Sequence, residues 1–262
     1  MQGAGVAGAT RDAARMVDPI EQFHIHKLFT IGHIGNQEIA FTNSSAYMFG
    51  SVALVALLMI GPGRKLVPGR LQSVAEISYE FIATTVRANA GKEGMKFFPL
   101  VFSIFMFVTV SNMVGAIPYN FTVASHLIVT AALAVMVFVT VLVYGFYKNG
   151  LKFFKLFVPS GIPIYILPLV VFIEVFSFFL RPISHSVRLF ANMLAGHIAM
   201  AVFASFIPML AGLGFLGYFG AVLPLGMVIA LTALEILVAF LQAYVFTILT
   251  VIYLNDAIHP GH

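Results

Sequence analysis

Ionisable and amide side chains lie inside a strongly apolar part of the sequence. The segment 184–197, SHSVRLFANMLAGH, contains Arg188, Asn192 and His197. An arginine at the centre of a membrane-spanning helix costs about 2.5–3.5 kcal/mol on insertion scales, and a guanidinium cannot lose its proton to reduce that cost. Arg188 must therefore face a carboxylate, water or a polar cavity, which indicates a functional role.

Helical spacing relates these groups to one another. Arg188 and Asn192 are four residues apart and share a helix face, whereas His197 lies on the opposite face. Glu174 lies on nearly the same face as Arg188 but about 21 Å away along the axis. Polar groups therefore lie at two depths, with a fixed positive charge between them.

The last apolar segment adds Glu235 and Gln242, which are seven residues apart and share a face. If the last two segments pair antiparallel, His197 and Glu235 meet near their connection and Glu174 lies toward the other membrane surface. A carboxylate in an apolar site prefers to be protonated. A cation at about 4 Å favours ionisation by about 4 kcal/mol at an effective dielectric near 20, or about three pKa units. This pattern suits a proton path interrupted at Arg188, with the facing acid supplied by a partner.

Other polar residues of the apolar segments have plainer interpretations. Arg181 is next to Pro182 and could either snorkel to a surface or belong to a kink. His185 is expected to be structural or to face the cytoplasm. Asn112 could cap or cross-link helices, as asparagines in membranes usually do.

The composition is that of an integral membrane protein. Of 262 residues, 60% are hydrophobic and only 9% are charged, and the mean hydropathy is +1.00, whereas soluble domains carry about 25% charged residues. The absence of cysteine excludes a disulfide framework, and a net charge of +4 gives no reason to expect nucleic acid. No cofactor is indicated. Three histidines, His24, His26 and His33, could suggest a metal, but an exposed arm is the favoured interpretation.

Hydropathy and charge divide the chain into an extramembrane arm and one all-α membrane domain. The arm covers residues 1–40 and the membrane domain residues 41–262. About five membrane-embedded helices and one amphipathic surface helix are expected. The expected elements are a first spanning helix, the surface helix, a helical hairpin and a long slanted hairpin, over 41–62, 70–90, 97–147 and 162–255 respectively.

The last hairpin is too long for a perpendicular crossing. Residues 169–207 form roughly 58 Å of helix, against a hydrocarbon core of about 30 Å. Either Pro182 kinks this segment or the two helices lie strongly slanted. A Gly-rich break is expected between them, over 208–224. A slanted pair exposes a long flank, which suggests a partner.

The distribution of basic residues predicts the orientation. Two loops carry the excess of positive charge, at Arg64, Lys65 and Arg70 and at Lys148, Lys152 and Lys155. The positive-inside rule makes both loops cytoplasmic. Five passes then leave the N-terminus outside and the C-terminus inside.

At these residues the sequence resembles subunit a of the rotary F-type ATP synthase, in its mitochondrial-like bacterial form. SHSVRLFANM, over 184–193, matches the Arg-centred signature of that family. The resemblance extends through FIEVFSFFLRPISHSVRLFANMLAGH, ALEILVAFLQAYVFTILTVIYL and SNMVGAIPYNF. It covers most of the chain from about residue 18.

The resemblance implies a role for each site residue. Arg188 would be the essential stator arginine, with Asn192 beside it and Gln242 supporting it. His197 and Glu235 would line the half-channel by which protons enter from outside. Glu174 would belong to the opposite, cytoplasmic half-channel. Near the helical hairpin over 97–147, Asn112, Tyr119, His126 or water would conduct the protons.

The resemblance also implies partners and a location. A c-ring would present a carboxylate to Arg188, b-type subunits of the peripheral stalk would bind the chain, and the F1 head would be connected indirectly. The chain itself would not hydrolyse ATP, and it contains no phosphate-binding Gly-rich Lys motif. It would couple proton flow to ATP synthesis in the lipid bilayer of the bacterial plasma (inner) membrane.

Two rival functions are compatible with buried charge. A self-contained ion channel or secondary transporter would conduct ions without partners, although no internal repeat is evident. An inert anchor or assembly scaffold would tolerate Arg188→Ala.

Overall fold

The structure is a computed structural model that describes residue 25 and residues 27–34, 37–61, 67–117, 120–158, 162–212 and 214–259. A short β-hairpin is followed by helices. The strands are β1 (Lys27–Ile34) and β2 (Gln37–Thr42). The helices are α1 (Asn43–Ile60), α2 (Arg70–Gly94), α3 (Phe98–Gly115), α4 (Leu127–Asn149), α5 (Leu167–Ala211) and α6 (Phe215–Ile258).

Five helical segments of this described part are long and apolar enough to cross a membrane. They are Asn43–Ile60, Arg70–Gly115, Leu127–Phe157, Leu167–Ala211 and Gly217–Ile258. The predicted all-α membrane class, with about five membrane helices, is confirmed. The boundary between arm and membrane domain stays a prediction, and so does the surface position of residues 70–90.

Helix α2 is kinked at Gly91, whose φ of 62° and ψ of −160° are not helical, and it leads into α3 through one 3-10 turn, Met95–Phe97. The two halves of α2 differ in burial. Ile82, Val86 and Ala90 are buried, and the helix packs against α3 and α6. Leu71 and Ile77 are exposed instead. The C-terminal half of α2 is therefore held by the rest of the chain, whereas its N-terminal half presents an apolar face to the surroundings.

The β-hairpin before α1 is not evident from hydropathy. Lys27 Nζ donates to Glu38 Oε2 at 2.7 Å across the pair, and this bond lowers the pKa of Glu38. The ring of Phe29 stacks on Phe41 at 4.9 Å, and Phe41 stacks on Phe49 of α1 at 6.0 Å. Aromatic packing therefore fixes the hairpin to the first residues of α1. His33 is exposed on β1, whereas His24 and His26 lie outside the described residues.

Helices α5 and α6 contain 45 and 44 residues, so each is about 66–68 Å long. The backbone of α5 is helical through Pro182, and a kink at this proline stays a prediction. The slant itself stays a prediction. The Gly-rich break expected over 208–224 is wrong, because most of it is helical and only residues 212–214 connect the two helices. Unsatisfied backbone groups are costly in lipid, which favours helix even over a glycine-rich sequence.

Small residues allow close packing at the centre of the bundle. Ala239 and Ala243 of α6 are fully buried, and Asn112 of α3 reaches the backbone of Ala239. Close approach of helices at small residues is a usual basis of packing in membranes. Helix α6 therefore has α5 on one side and α2 and α3 on the other.

Candidate functional site

Polar contacts join the antiparallel helices α5 and α6 at four levels along their length. From the connecting turn toward the far ends, they are Met200–Thr232 at 3.4 Å, His197–Glu235 at 3.3 Å, Asn192–Gln242 at 2.9 Å and Arg181–Asp256 at 3.1 Å. Residue numbers rise on one helix as they fall on the other. A single register of the helix pair therefore aligns His197 with Glu235 and Asn192 with Gln242, whereas Arg188 and Glu174 take no part in these contacts.

The contact between His197 and Glu235 expected from the sequence is present. Their side chains are only 3% and 4% exposed. The 3.3 Å from His197 Nε2 to Glu235 Oε1 is within ion-pair range, but the two atoms lack hydrogen-bond alignment, and neither carboxyl oxygen has a hydrogen-bond partner among the described residues. The carboxyl is therefore available to accept a proton or a water molecule.

Thr122 completes this cluster from the segment between α3 and α4. Its Oγ1 lies 2.7 Å from His197 Nε2 and donates to the carbonyl oxygen of Gly115 at 3.3 Å. Because a donating hydroxyl also has lone pairs, Thr122 can accept a hydrogen bond from the imidazole at the same time. Thr122 and Glu235 thus approach the same ring nitrogen of His197, Nε2. No sequence pattern singles out this threonine.

Gly196 determines how closely Glu235 approaches α5. A Cβ atom at position 196 would lie 3.1 Å from Glu235 Oε1 and 3.5 Å from its carboxyl carbon. The absence of a side chain therefore leaves the space that the carboxyl group occupies.

Arg188 lies on the outer side of α5. Its side chain is exposed, while the following residue, Leu189, is 1% exposed and faces the core. Among the described residues no carboxylate lies within ion-pair distance of Arg188. The guanidinium is therefore open to a group from outside the chain.

Asn192 lies one helical turn after Arg188 on α5, and Gln242 is its hydrogen-bond partner on α6. Asn192 Nδ2 donates to Gln242 Oε1 at 2.9 Å, joining α5 to a buried residue of α6. The structure thus brings Asn192 and Gln242 together, but it shows no direct bond from Gln242 to Arg188. Gln242 can act on Arg188 only through Asn192 or through water.

Glu174 and Asn112 are not joined to these groups. Glu174 is half-buried on α5 and has no hydrogen bond or ion pair to a described residue. Asn112 is fully buried, donates from Nδ2 to Ala239 O at 3.4 Å, and leaves Oδ1 without a partner in the described part. It borders a small cavity with Ser111 and Thr130. Asn112 thus cross-links α3 to α6, one of the roles expected for it.

Two of the other residues considered, His126 and His185, pack against aromatic rings. His126 stacks on Phe121 with a ring separation of 4.8 Å, and Tyr119 lies outside the described residues. His185 is 4% exposed and packs against Phe246 and Tyr253. Of the two expectations for His185, the structural one agrees with this burial, and a position facing the cytoplasm does not.

Arg181 does not snorkel freely, because it is paired within the chain, and a kink at the adjacent Pro182 stays a prediction. Its Nη1 donates to Asp256 Oδ2 at 3.1 Å, and its guanidinium carbon lies 4.5 Å from the ring centre of Tyr253. Asp256 is not a candidate from the sequence alone, because it follows the last apolar stretch and belongs by hydropathy to the polar tail. One sequence signal could have pointed to Asp256. It is an acid shortly after a membrane segment, where that segment pairs antiparallel with a segment that carries an arginine.

These features define a multi-pass α-helical membrane protein with buried ionisable groups between its two longest helices and an exposed arginine on its outer surface. The chain belongs to the ATP synthase A chain family, whose model matches residues 45–255. It is therefore a multi-pass protein of the bacterial inner membrane.

Curated relatives cover almost the whole chain. The ATP synthase subunit a of Rhodopseudomonas palustris (strain BisB18) is 78% identical over 249 residues, which is 94% of this chain and 100% of the relative. The ATP synthase subunit a of Nitrobacter winogradskyi (strain ATCC 25391 / DSM 10237 / CIP 104748 / NCIMB 11846 / Nb-255) is 76% identical over 247 residues, again 94% of this chain and 100% of the relative. That of Nitrobacter hamburgensis (strain DSM 10229 / NCIMB 13809 / X14) is 74% identical over the same number of residues, 247.

Proposed function

We propose that this chain is the proton-translocating stator subunit of an F-type ATP synthase. It provides two offset half-channels, and Arg188 lies next to the rotating c-ring between them. The observation that carries the proposal is the exposed guanidinium of Arg188, which has no carboxylate partner among the described residues. A cation kept at such a position without an internal counter-ion requires a partner from outside the chain.

Arg188 makes each arriving acid of the ring release its proton. A carboxylic acid moving through lipid stays protonated, because its charged form is costly there. Near the guanidinium, the attraction of about 4 kcal/mol favours the carboxylate by about three pKa units. The same positive charge repels a proton that would otherwise pass directly from one half-channel to the other.

The buried cluster of His197, Glu235 and Thr122 loads protons from the outside. Three observations support this role: the cluster is buried, its imidazole and carboxyl group are 3.3 Å apart, and both carboxyl oxygens lack hydrogen-bond partners in the described part. Protons pass from this cluster to the ring acid on one side of Arg188. Asn192 and Gln242 hold the adjacent turn of α5 against α6.

Protons leave toward the cytoplasm near Glu174. This residue lies on nearly the same face of α5 as Arg188, about 21 Å along the axis, on the side away from the His197 cluster. The separation of the two groups along α5 gives the offset that the mechanism needs. Since no proton crosses directly, each one must travel with the rotating ring.

The partners of the chain follow from this mechanism. The c-ring supplies the carboxylate, b-type subunits of the peripheral stalk hold the chain against rotation, and the F1 head carries out the ATP chemistry. The subunit is not itself a catalyst of ATP hydrolysis. The N-terminus lies outside the cell membrane and the C-terminus in the cytoplasm.

Arg188→Ala in the complete complex tests the proposal. ATP-driven proton pumping into membrane vesicles should fall by at least about 100-fold, since the lost attraction of about 4 kcal/mol corresponds to about three powers of ten. Arg87→Ala, at an exposed arginine of α2, is the matched control and should pump like the wild type. Pumping retained by Arg188→Ala, in complexes assembled to the normal amount, would support an inert anchor instead.

A second measurement separates the proposal from a self-contained channel. The purified chain in liposomes should not conduct protons, whereas the chain reconstituted with its ring should. Conduction by the chain alone would contradict the proposal.

A further inference from the structure

The C-terminal part of α6 supplies an acid to the N-terminal third of α5. Arg181 and Asp256 form an ion pair of 3.1 Å, with side chains that are 23% and 30% exposed. The guanidinium carbon of Arg181 also lies 4.5 Å from the ring centre of Tyr253 and 5.4 Å from that of Phe178. Its charge is therefore held in one place by an ion pair and two aromatic rings.

The position of Arg181 along α5 matters more than the ion pair itself. Arg181 is seven residues after Glu174 and seven before Arg188. Residues seven apart on an α-helix lie about 20° from the same face and about 10.5 Å apart along the axis. Arg181 thus lies midway between the two groups that the proposed outlet path connects.

An arginine at this midpoint should hinder proton release unless its charge is neutralised. It cannot lose its proton, and at about 10 Å in a medium of effective dielectric near 20 its field would slow a passing proton by roughly tenfold. The other ionisable groups that line the same small cavity are His185 and Tyr253, and Arg188 is the next cation along α5. None of these contributes the negative charge that Arg181 requires, and Asp256 does.

We propose that Asp256 is a positioning residue for proton release, which neutralises Arg181 so that the path from Arg188 to Glu174 has no second barrier of positive charge. This inference rests on the proposed function. Asp256 acts through Arg181 and need not carry the proton itself. The ion pair leaves Arg188 as the cation that the ring acid meets.

Three variants in the complete ATP synthase test this role: Asp256→Asn, Arg181→Gln and the double variant. ATP-driven pumping and ATP synthesis in membrane vesicles are measured per assembled complex. Passive proton conduction is measured after removal of the soluble head. Asp256→Asn leaves Arg181 without a counter-ion, and it should lower the rates of pumping, ATP synthesis and passive conduction by about tenfold. Arg181→Gln and the double variant should stay within about twofold of the wild type.

The asymmetry distinguishes this role from a structural tie. If the ion pair only held α5 to α6, either single substitution would break the same bond, and both would lower the rates alike. Equal losses, a normal rate for Asp256→Asn, or a double variant as slow as Asp256→Asn would each overturn the inference. Asp256→Glu keeps the charge and should retain most of the rate.

Arg188→Ala separates failure of this inference from failure of the proposed function. If Arg188→Ala abolishes pumping while Asp256→Asn pumps normally, the proposed function stands and the role of Asp256 is wrong. If Arg188→Ala pumps normally, both are wrong.

Discussion

Glu235 shows how a buried acid can be surrounded by side chains and still have free oxygens. Its neighbours are the His197 ring, at ion-pair distance, and the backbone of Gly196, where a side chain would crowd Oε1. Neither carboxyl oxygen has a hydrogen-bond partner in the described part. A carboxyl group in such surroundings can exchange a proton or a water molecule, but only while the space beside it stays open.

Gly196→Ala should therefore slow proton translocation. The added Cβ would lie 3.1 Å from Glu235 Oε1, a closer contact than most side chains tolerate, so the carboxyl must move from its observed position. ATP-driven pumping per assembled complex should fall severalfold.

Gly226→Ala is the matched control, since a Cβ at that helical glycine meets nothing within 4 Å. It should pump at the wild-type rate. Equal rates for both variants would mean that Glu235 does not need its observed position.

The turn between α5 and α6 sets the register of the whole site. Only residues 212–214 connect the two helices. Among them, Gly214 has φ 91° and ψ −160°. This backbone conformation is essentially restricted to glycine. Because α5 ends directly before this turn and α6 begins directly after it, the geometry of the turn determines which residues of α5 and α6 face each other.

Gly214→Ala should destabilise the helix pair. The strain of placing an L-residue at this φ and ψ costs about 1–3 kcal/mol. The melting temperature of the purified complex should fall, and less complex should assemble.

Gly212→Ala tests whether the effect comes from backbone conformation. Gly212 has φ −68°, and its Cβ would be 3.5 Å from the nearest atom, the carbonyl oxygen of Pro208, so this variant should assemble normally. A Gly214→Ala complex as stable as the wild type would show that the turn can adopt another conformation without cost.

At the scale of the whole molecule, the distribution of charge predicts how the chain lies in the membrane. Lys152 is exposed in the 3-10 segment Gly150–Phe157 after α4, and His33 is exposed on β1 before α1. Three apolar helical segments lie between these two positions: α1, the α2–α3 segment Arg70–Gly115, and α4, which ends at Asn149 before Lys152. An odd number of crossings requires them to lie on opposite sides of the membrane.

Single cysteines test this orientation cleanly, because the chain has no native cysteine. Lys152→Cys should react with a membrane-impermeant maleimide only from the cytoplasmic side, and His33→Cys only from the outside. Labelling is compared in intact cells and in inverted membrane vesicles. Labelling of both positions from the same side would contradict the three crossings, and the reversed pattern would contradict the predicted orientation.

The sequence by itself determined the membrane class and the candidate spans, and it predicted the importance of Arg188. These properties are local: hydropathy over about 20 residues identifies a span, and a buried arginine is costly wherever its helix lies. The helix period also predicted the meeting of His197 and Glu235, given an antiparallel pair. The roles of Glu174, Asn112 and the other path residues stay predictions.

Only the tertiary structure decided which distant groups complete the site. Thr122 lies 75 residues from His197 in the chain, and Asp256 lies 75 residues from Arg181. Neither partner could be chosen from residue spacing. Thr122 lies outside the regular helices, and Asp256 follows an apolar stretch whose C-terminal boundary is poorly defined by hydropathy. Contacts of this kind depend on the register between helices, which packing and the turn at Gly214 determine and which a single helix period cannot specify.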